Sequence, residues 1–143
     1  MAEVPSIFSL AGEDRAQLDK QRAVVEHYLA DEESRKRYQT AAGKLGTLRA
    51  LLEARVFKPE QSYELQCMGV VPGDAFVQDM VFEWVIVEDE QGRDPAIRYR
   101  DTSIILYPFT MISKRIERGD EVDIFDLYNG IAGRVEEMAA NGF

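Results

Sequence analysis

The chain reads as an α+β domain: N-terminal helices, a three-stranded antiparallel β-meander and two C-terminal helices. Three observations predict this. Residues 81–87, Val-Phe-Glu-Trp-Val-Ile-Val, form the most apolar run and are rich in β-branched and aromatic side chains. Turn residues flank residues 96–100 at spacings too short for parallel crossovers. Apolar residues recur in steps of three and four both before and after this region. At 143 residues the chain suits one domain with its own core, placed over 1–143.

Residues Met1 to Leu10 read as an irregular lead-in. A first helix is expected from Gly12 to about Ala30, with Leu18, Val25 and Tyr28 or Leu29 on one face. Asp31 or Ser34 caps the next helix. Its stripe, Tyr38, Ala41, Leu45, Leu48, Leu52 and Val56, is the cleanest in the chain. Gly43 and Gly46 inside it cost about 1 kcal/mol each relative to alanine and mark the close approach of a neighbouring helix. Pro59 opens a third helix through Tyr63, Leu65 and Met68. Gly69 and Pro72-Gly73-Asp74 break it, and a short helical piece runs from Asp74 to Met80. Asp74 there reads as a cap, or Gly73-Asp74 as an anion site made of free amides.

The strands are expected at Val81–Glu88, Ala96–Arg100 and Ser103–Tyr107. Gly92 and Pro95 mark the first reversal, and Asp101-Thr102 forms a tight second one. Pro108 stops the ladder and opens a helix from Phe109 to about Arg118, with Gly119 as its C-terminal cap. Asp120 or Asp123 starts the last helix, whose stripe is Ile124, Leu127 or Tyr128, Ile131, Val135 and Met138; Asn141-Gly142 ends it.

Composition bounds the function classes. The net charge of -9 leaves only short basic clusters, Arg35-Lys36-Arg37 and Lys114-Arg115, which argues against nucleic-acid binding. A single cysteine, Cys67, rules out an internal disulfide and reads as a small core residue. No stretch reaches the ~20 apolar residues of a membrane helix, and the start lacks a signal-peptide pattern. A cytoplasmic protein is the expectation, with no membrane partner.

The sharpest site-like feature is Glu83. A strand alternates its faces, so Glu83 shares one with Val81, Val85 and Val87, opposite Phe82, Trp84 and Ile86. A carboxylate on a largely covered face needs a partner. With Gln91-Gly92 as a two-residue turn, Glu83 pairs with Arg100; another register pairs it with Arg98. Either way Glu83, Arg98 and Arg100 share a face with Ser103, Ile105 and Tyr107. The bland reading is a cross-strand ion pair of ~0.2–1 kcal/mol. The functional reading leaves one arginine free as a fork for a carboxylate or phosphate. Lys114 and Arg115, late in their helix, complement its negative end or form a positive rim near the sheet.

Familiar catalytic patterns are missing. The one histidine, His27, reads as a helix-surface residue, and no serine sits in a Gly-x-Ser-x-Gly setting. One His and one Cys are too few for zinc. Asp89, Glu90 and Asp94 lack calcium-loop spacing and read as a solvated turn, so no metal and no cofactor is expected. A carboxylate pair can be drawn from Glu83 and Glu88 or Asp89, but with arginines as partners Glu83 suits an ion pair better than proton donation.

One set of residues carries a family likeness: Gly73-Asp74, Glu83-Trp84, Glu88-Asp89, Gly92-Arg93-Asp94-Pro95-Ala96, Arg98, and Pro108-Phe109-Thr110-Met111-Ile112-Ser113-Lys114-Arg115. Over roughly Leu65 to Leu127 this set resembles a bacterial family of small domains described only as a domain of unknown function. The resemblance implies a bacterial source and a compact α+β domain, and it carries over no catalytic residue.

These readings converge on a binding or interaction module without catalytic activity, of immunity or regulatory type, with a protein partner. Glu83, Arg98, Arg100, Lys114 and Arg115 are its binding residues. The alternative is a small hydrolase using carboxylates with an arginine anion site. Self-association into a homodimer through the mixed face is a third reading.

Overall fold

The computed structural model describes residues 6–142. In chain order these form β1 (Ser6–Ser9), α1 (Gly12–Glu26), α2 (Glu32–Arg37), α3 (Ala41–Glu53), α4 (Ser62–Met68) and α5 (Val70–Met80). There follow β2 (Phe82–Asp89), β3 (Gly92–Tyr99), β4 (Ile105–Leu106), α6 (Pro108–Glu117) and α7 (Ile124–Ala140). The α+β class holds, with a sheet of four antiparallel strands in the order β1-β2-β3-β4.

The fourth strand corrects the irregular lead-in. Residues Ser6–Ser9 pair with the free edge of β2, Ser6 opposite Glu88 and Ser9 opposite Val85. The eight-residue β2 has two edges of backbone donors and acceptors, and its hairpin partner covers only one. The rest of that lead-in, Met1 to Pro5, lies outside the described residues.

The hairpin register is Glu83 opposite Arg98, with Asp89 opposite Gly92. Its two-residue loop is Glu90-Gln91, one position earlier than the turn expected at Gln91-Gly92. Asp89 Oδ1 accepts the Gln91 amide at 2.8 Å to close it. Pro95 and Gly92 therefore lie within β3. Pro95 is tolerated because β4 pairs only with Ile97 and Arg98, leaving the edge beside Pro95 open. The second turn has the expected register, Arg98 opposite Ile105, although β4 is only two residues long.

Phe82, Trp84, Ile97, Tyr99, Ile104 and Leu106 face the helices and join the main core around Leu48, Leu65, Phe76, Ile112 and Ile124. Phe76 sits at the centre, stacked on Tyr128 at 4.2 Å and tilted against Phe82 at 5.4 Å. The outer face holds a separate small apolar cluster of Val85, Val87 and Ala96 with Ile7 and Ile105.

Helix boundaries follow local chemistry. Asp31 caps α2, and Thr40 caps α3 by accepting the Gly43 amide at 2.9 Å, so the expected long second helix is two helices with a sharp corner. Gly43 is required there, because a Cβ would overlap the Arg37 carbonyl. Gly46 faces open space, so close approach explains only one of the two glycines. Pro72-Gly73-Asp74 does not break a helix: Pro72 lies in the first turn of α5, where its missing N–H has no intrahelical partner to lose. Gly119, at φ 82°, ends α6 as expected, and Asp123 caps α7 through the Asp126 amide.

Candidate functional site

The sequence-derived residues do not converge. Arg98 Nη2 donates to Glu83 Oε1 at 3.0 Å across the hairpin, so this pair exists. The Glu83 side chain is 60% exposed, and Arg98 Nε is buried with no hydrogen-bond partner among the described residues. Arg100 leaves the group. It takes a left-handed backbone at φ 49°, and its guanidinium lies 5.0 Å over the Tyr99 ring, a residue of the helix-facing side. Strand alternation ends at Tyr99, which is why the face assignment fails one residue later. Val81 fails likewise: it is a left-handed, exposed residue between α5 and β2.

Lys114 and Arg115 are on α6, which packs mainly on α4. Arg115 Nη1 donates to the Met111 carbonyl at 2.8 Å, one turn back on its own helix. Glu83 and Glu88 stand on opposite faces of β2 by strand parity, and Glu88 sits 3.9 Å from Arg93. Asp89 shares the Glu83 face but stands at the far end of β2, roughly 20 Å away at ~3.3 Å per residue, so neither carboxylate pair of the hydrolase reading comes together.

The best-built polar arrangement centres on Asp74. It lies in the second turn of α5, and its carboxylate neither caps a helix nor marks an amide anion site. Arg22, from α1, clamps it with two bonds of 2.8 Å, Nε to Oδ2 and Nη2 to Oδ1. Trp84 donates its indole N–H to Oδ1 at 2.9 Å. Asp19 takes a further Arg22 donor at 2.9 Å. The Asp74 side chain keeps only 14% of its exposure, so the clamp operates away from bulk water. Hydrogen bonding to Asp74 is the main reason the Arg22 pKa is raised, against an opposing effect of burial. Gly73 makes room for the indole: a Cβ there would come within 2.5 Å of the Trp84 ring.

One side of this clamp borders an open cleft of about 530 Å³ between α1, α2, α3 and α5. Its walls are braced by hydrogen bonds among its own residues. Lys44 Nζ donates to the Tyr38 carbonyl at 2.9 Å and to Gln78 Oε1 at 3.0 Å. Gln78 Nε2 donates to the Gln39 carbonyl at 2.6 Å. Burial lowers the Lys44 pKa, while burial first and then the Asp74 and Glu26 charges raise that of Tyr38. Leu29 and Val77 supply apolar wall.

Sequence reasoning did not find this cleft. Its residues come from four helices and the connections between them, and they meet only in the tertiary fold. The usable signal was Gly73-Asp74 ten residues before Trp84, which the family likeness contained without its physical reason.

Residues 44–128 match the family model described as Domain of unknown function (DUF3806). The matched stretch contains Lys44, Asp74, Gln78 and Trp84, while Arg22 and Tyr38 precede it. No curated protein matches the chain at a significant level. A crystal structure from Bacteroides thetaiotaomicron VPI-5482 shares the fold with a TM-score of 0.71 at 13% identity, over 92% of this chain and 48% of that one. The chain thus spans about half the length of that protein.

Proposed function

The chain belongs to the DUF3806 family, and from the geometry of its cleft we propose that it is a non-catalytic binding module whose ligand enters between α1, α2, α3 and α5. The observation that carries this reading is the bracing of the walls. Arg22, Lys44 and Gln78 are held by bonds within the protein, on helices, before any ligand arrives. Such preorganisation lowers the ordering cost of binding. A cleft of this volume is also within the ~300–1,000 Å³ common for small-molecule sites. Lys44 and Asp74, lining residues that could act as nucleophiles, are already engaged by bonds within the protein, which supports binding over nucleophilic conversion.

A protein partner docking on the outer sheet face is the second reading. The buried, unpartnered Arg98 Nε favours it, but Arg98 is already engaged by Glu83 and Arg100 lies elsewhere. The cleft reading has the fuller support.

Amide chemical-shift mapping with a panel of small polar fragments tests the reading. Binding should perturb residues 22–26, 35–44 and 74–78. Perturbation confined to β2 and β3 around Glu83 and Arg98 would transfer the function to the sheet face.

A further inference from the structure

Resting on the cleft reading, we propose that the ligand is a small zwitterion with an apolar substituent, of the amino-acid type, its carboxylate meeting Lys44, Arg35 and Tyr38 and its ammonium meeting Glu26.

The argument is a balance of unused donors and acceptors. Lys44 has three N–H donors and spends two, on Tyr38 and Gln78. Arg35 has five and spends one, on the Leu29 carbonyl at 3.2 Å. The Tyr38 hydroxyl makes no hydrogen bond among the described residues, although its ring is buried. These leftover donors border one volume. Asp74 is the weaker candidate for a ligand ammonium, since Arg22 and Trp84 take three of its roughly four acceptor sites and the Arg22 guanidinium already balances its charge. Glu26 remains. It borders the same volume and has no ion-pair partner among the described residues.

A simple anion would satisfy Lys44 and Arg35 and leave Glu26 facing a like charge. A simple cation would satisfy Glu26 and face two like charges. A ligand carrying both signs leaves no charge opposed, and this mismatch discriminates against either half alone. The burial that disfavours the Lys44 charge makes an incoming carboxylate more welcome there. Leu29 and Val77, half-buried in the same wall, offer apolar contact to a side chain.

The test is an amide chemical-shift titration of the full chain with leucine, with 4-methylpentanoate, which lacks the ammonium, and with 3-methylbutylamine, which lacks the carboxylate. Leucine should perturb the cleft amides at concentrations about tenfold lower than either analogue, the factor expected for losing one charged contact. Glu26→Gln should erase the preference for leucine over the acid while leaving acid binding in place. Arg35→Gln should weaken both. If either analogue binds the cleft as well as leucine does, the zwitterion assignment falls and the cleft remains a binding site. The same holds if all three fail while another fragment of the wider panel binds there. If no probe of any charge perturbs the cleft, both readings fall.

Discussion

Trp84 donates its indole N–H to Asp74 Oδ1 at 2.9 Å, on the same carboxylate that Arg22 grips with two bonds. One acid thereby ties the sheet to α5 and α1. Replacing it by Asn keeps the size and halves the acceptors. Breaking a buried ion pair costs ~3–5 kcal/mol. Arg22 retains 28% exposure, so Asp74→Asn should cost less, on the order of 2–3 kcal/mol, read from urea unfolding. Trp84 is the only tryptophan, and its emission should shift in the folded variant. Wild-type stability in Asp74→Asn would remove the clamp from this account.

The two glycines of α3 should answer oppositely to alanine. Gly46 faces open space within a helix, so Gly46→Ala should stabilise by roughly 0.5–1 kcal/mol. Gly43 abuts the Arg37 carbonyl, so Gly43→Ala should destabilise despite the same propensity gain. Thermal midpoints of the two variants check this. Shifts of the same sign would contradict the corner between α2 and α3.

The Glu83–Arg98 pair is weak by position. Glu83 is 60% exposed, and exposed pairs contribute ~0–1 kcal/mol. A double-mutant cycle of Glu83→Gln and Arg98→Gln should return a coupling below about 1 kcal/mol that fades in high salt. A larger, salt-insensitive coupling would contradict the exposure of Glu83 on the outer face.

Alkaline pH should destabilise the fold through Tyr38 and Tyr128. Burial, and for Tyr128 the neighbouring Asp79 carboxylate that its hydroxyl contacts at 3.2 Å, raise both phenol pKa values above the ordinary value near 10. A group with a raised folded pKa contributes stability that is complete below its unfolded pKa. That contribution is lost as pH climbs from about 10 toward the folded value, because the unfolded chain ionises first. Tyr38 and Tyr128 should resist ionisation in an ultraviolet titration until the chain unfolds. Ionisation of both near pH ~10 in the folded chain would contradict their burial.

What was legible in the sequence was local. Gly119 and Asp123 terminate helices through bonds to residues three positions away, so their roles can be read from a short window. The alternation through Phe82, Trp84 and Ile86 identified the core-facing side of the sheet for the same reason. Residues Ser6–Ser9 were not legible, because their pairing partner lies some eighty residues downstream and four residues show too little periodicity. Pro72 misled because proline signals a break, and only the turn in which it sits decides otherwise. Glu83 was found because a charge stands out in an apolar run. Arg22 and Lys44 are unremarkable in their own helices, Tyr38 reads only as part of an apolar stripe, and their joint meaning is tertiary.

The most direct test of the cleft as a binding site is to fill it without touching its braces. Gln39 borders the cleft, and it is the Gln39 backbone carbonyl that receives the bond from Gln78, so a new side chain there leaves the brace in place. A Gln39→Trp variant should keep its unfolding midpoint and lose the ligand-induced shifts of residues 22–26, 35–44 and 74–78. Unchanged shifts at unchanged ligand concentrations in that folded variant would contradict the assignment.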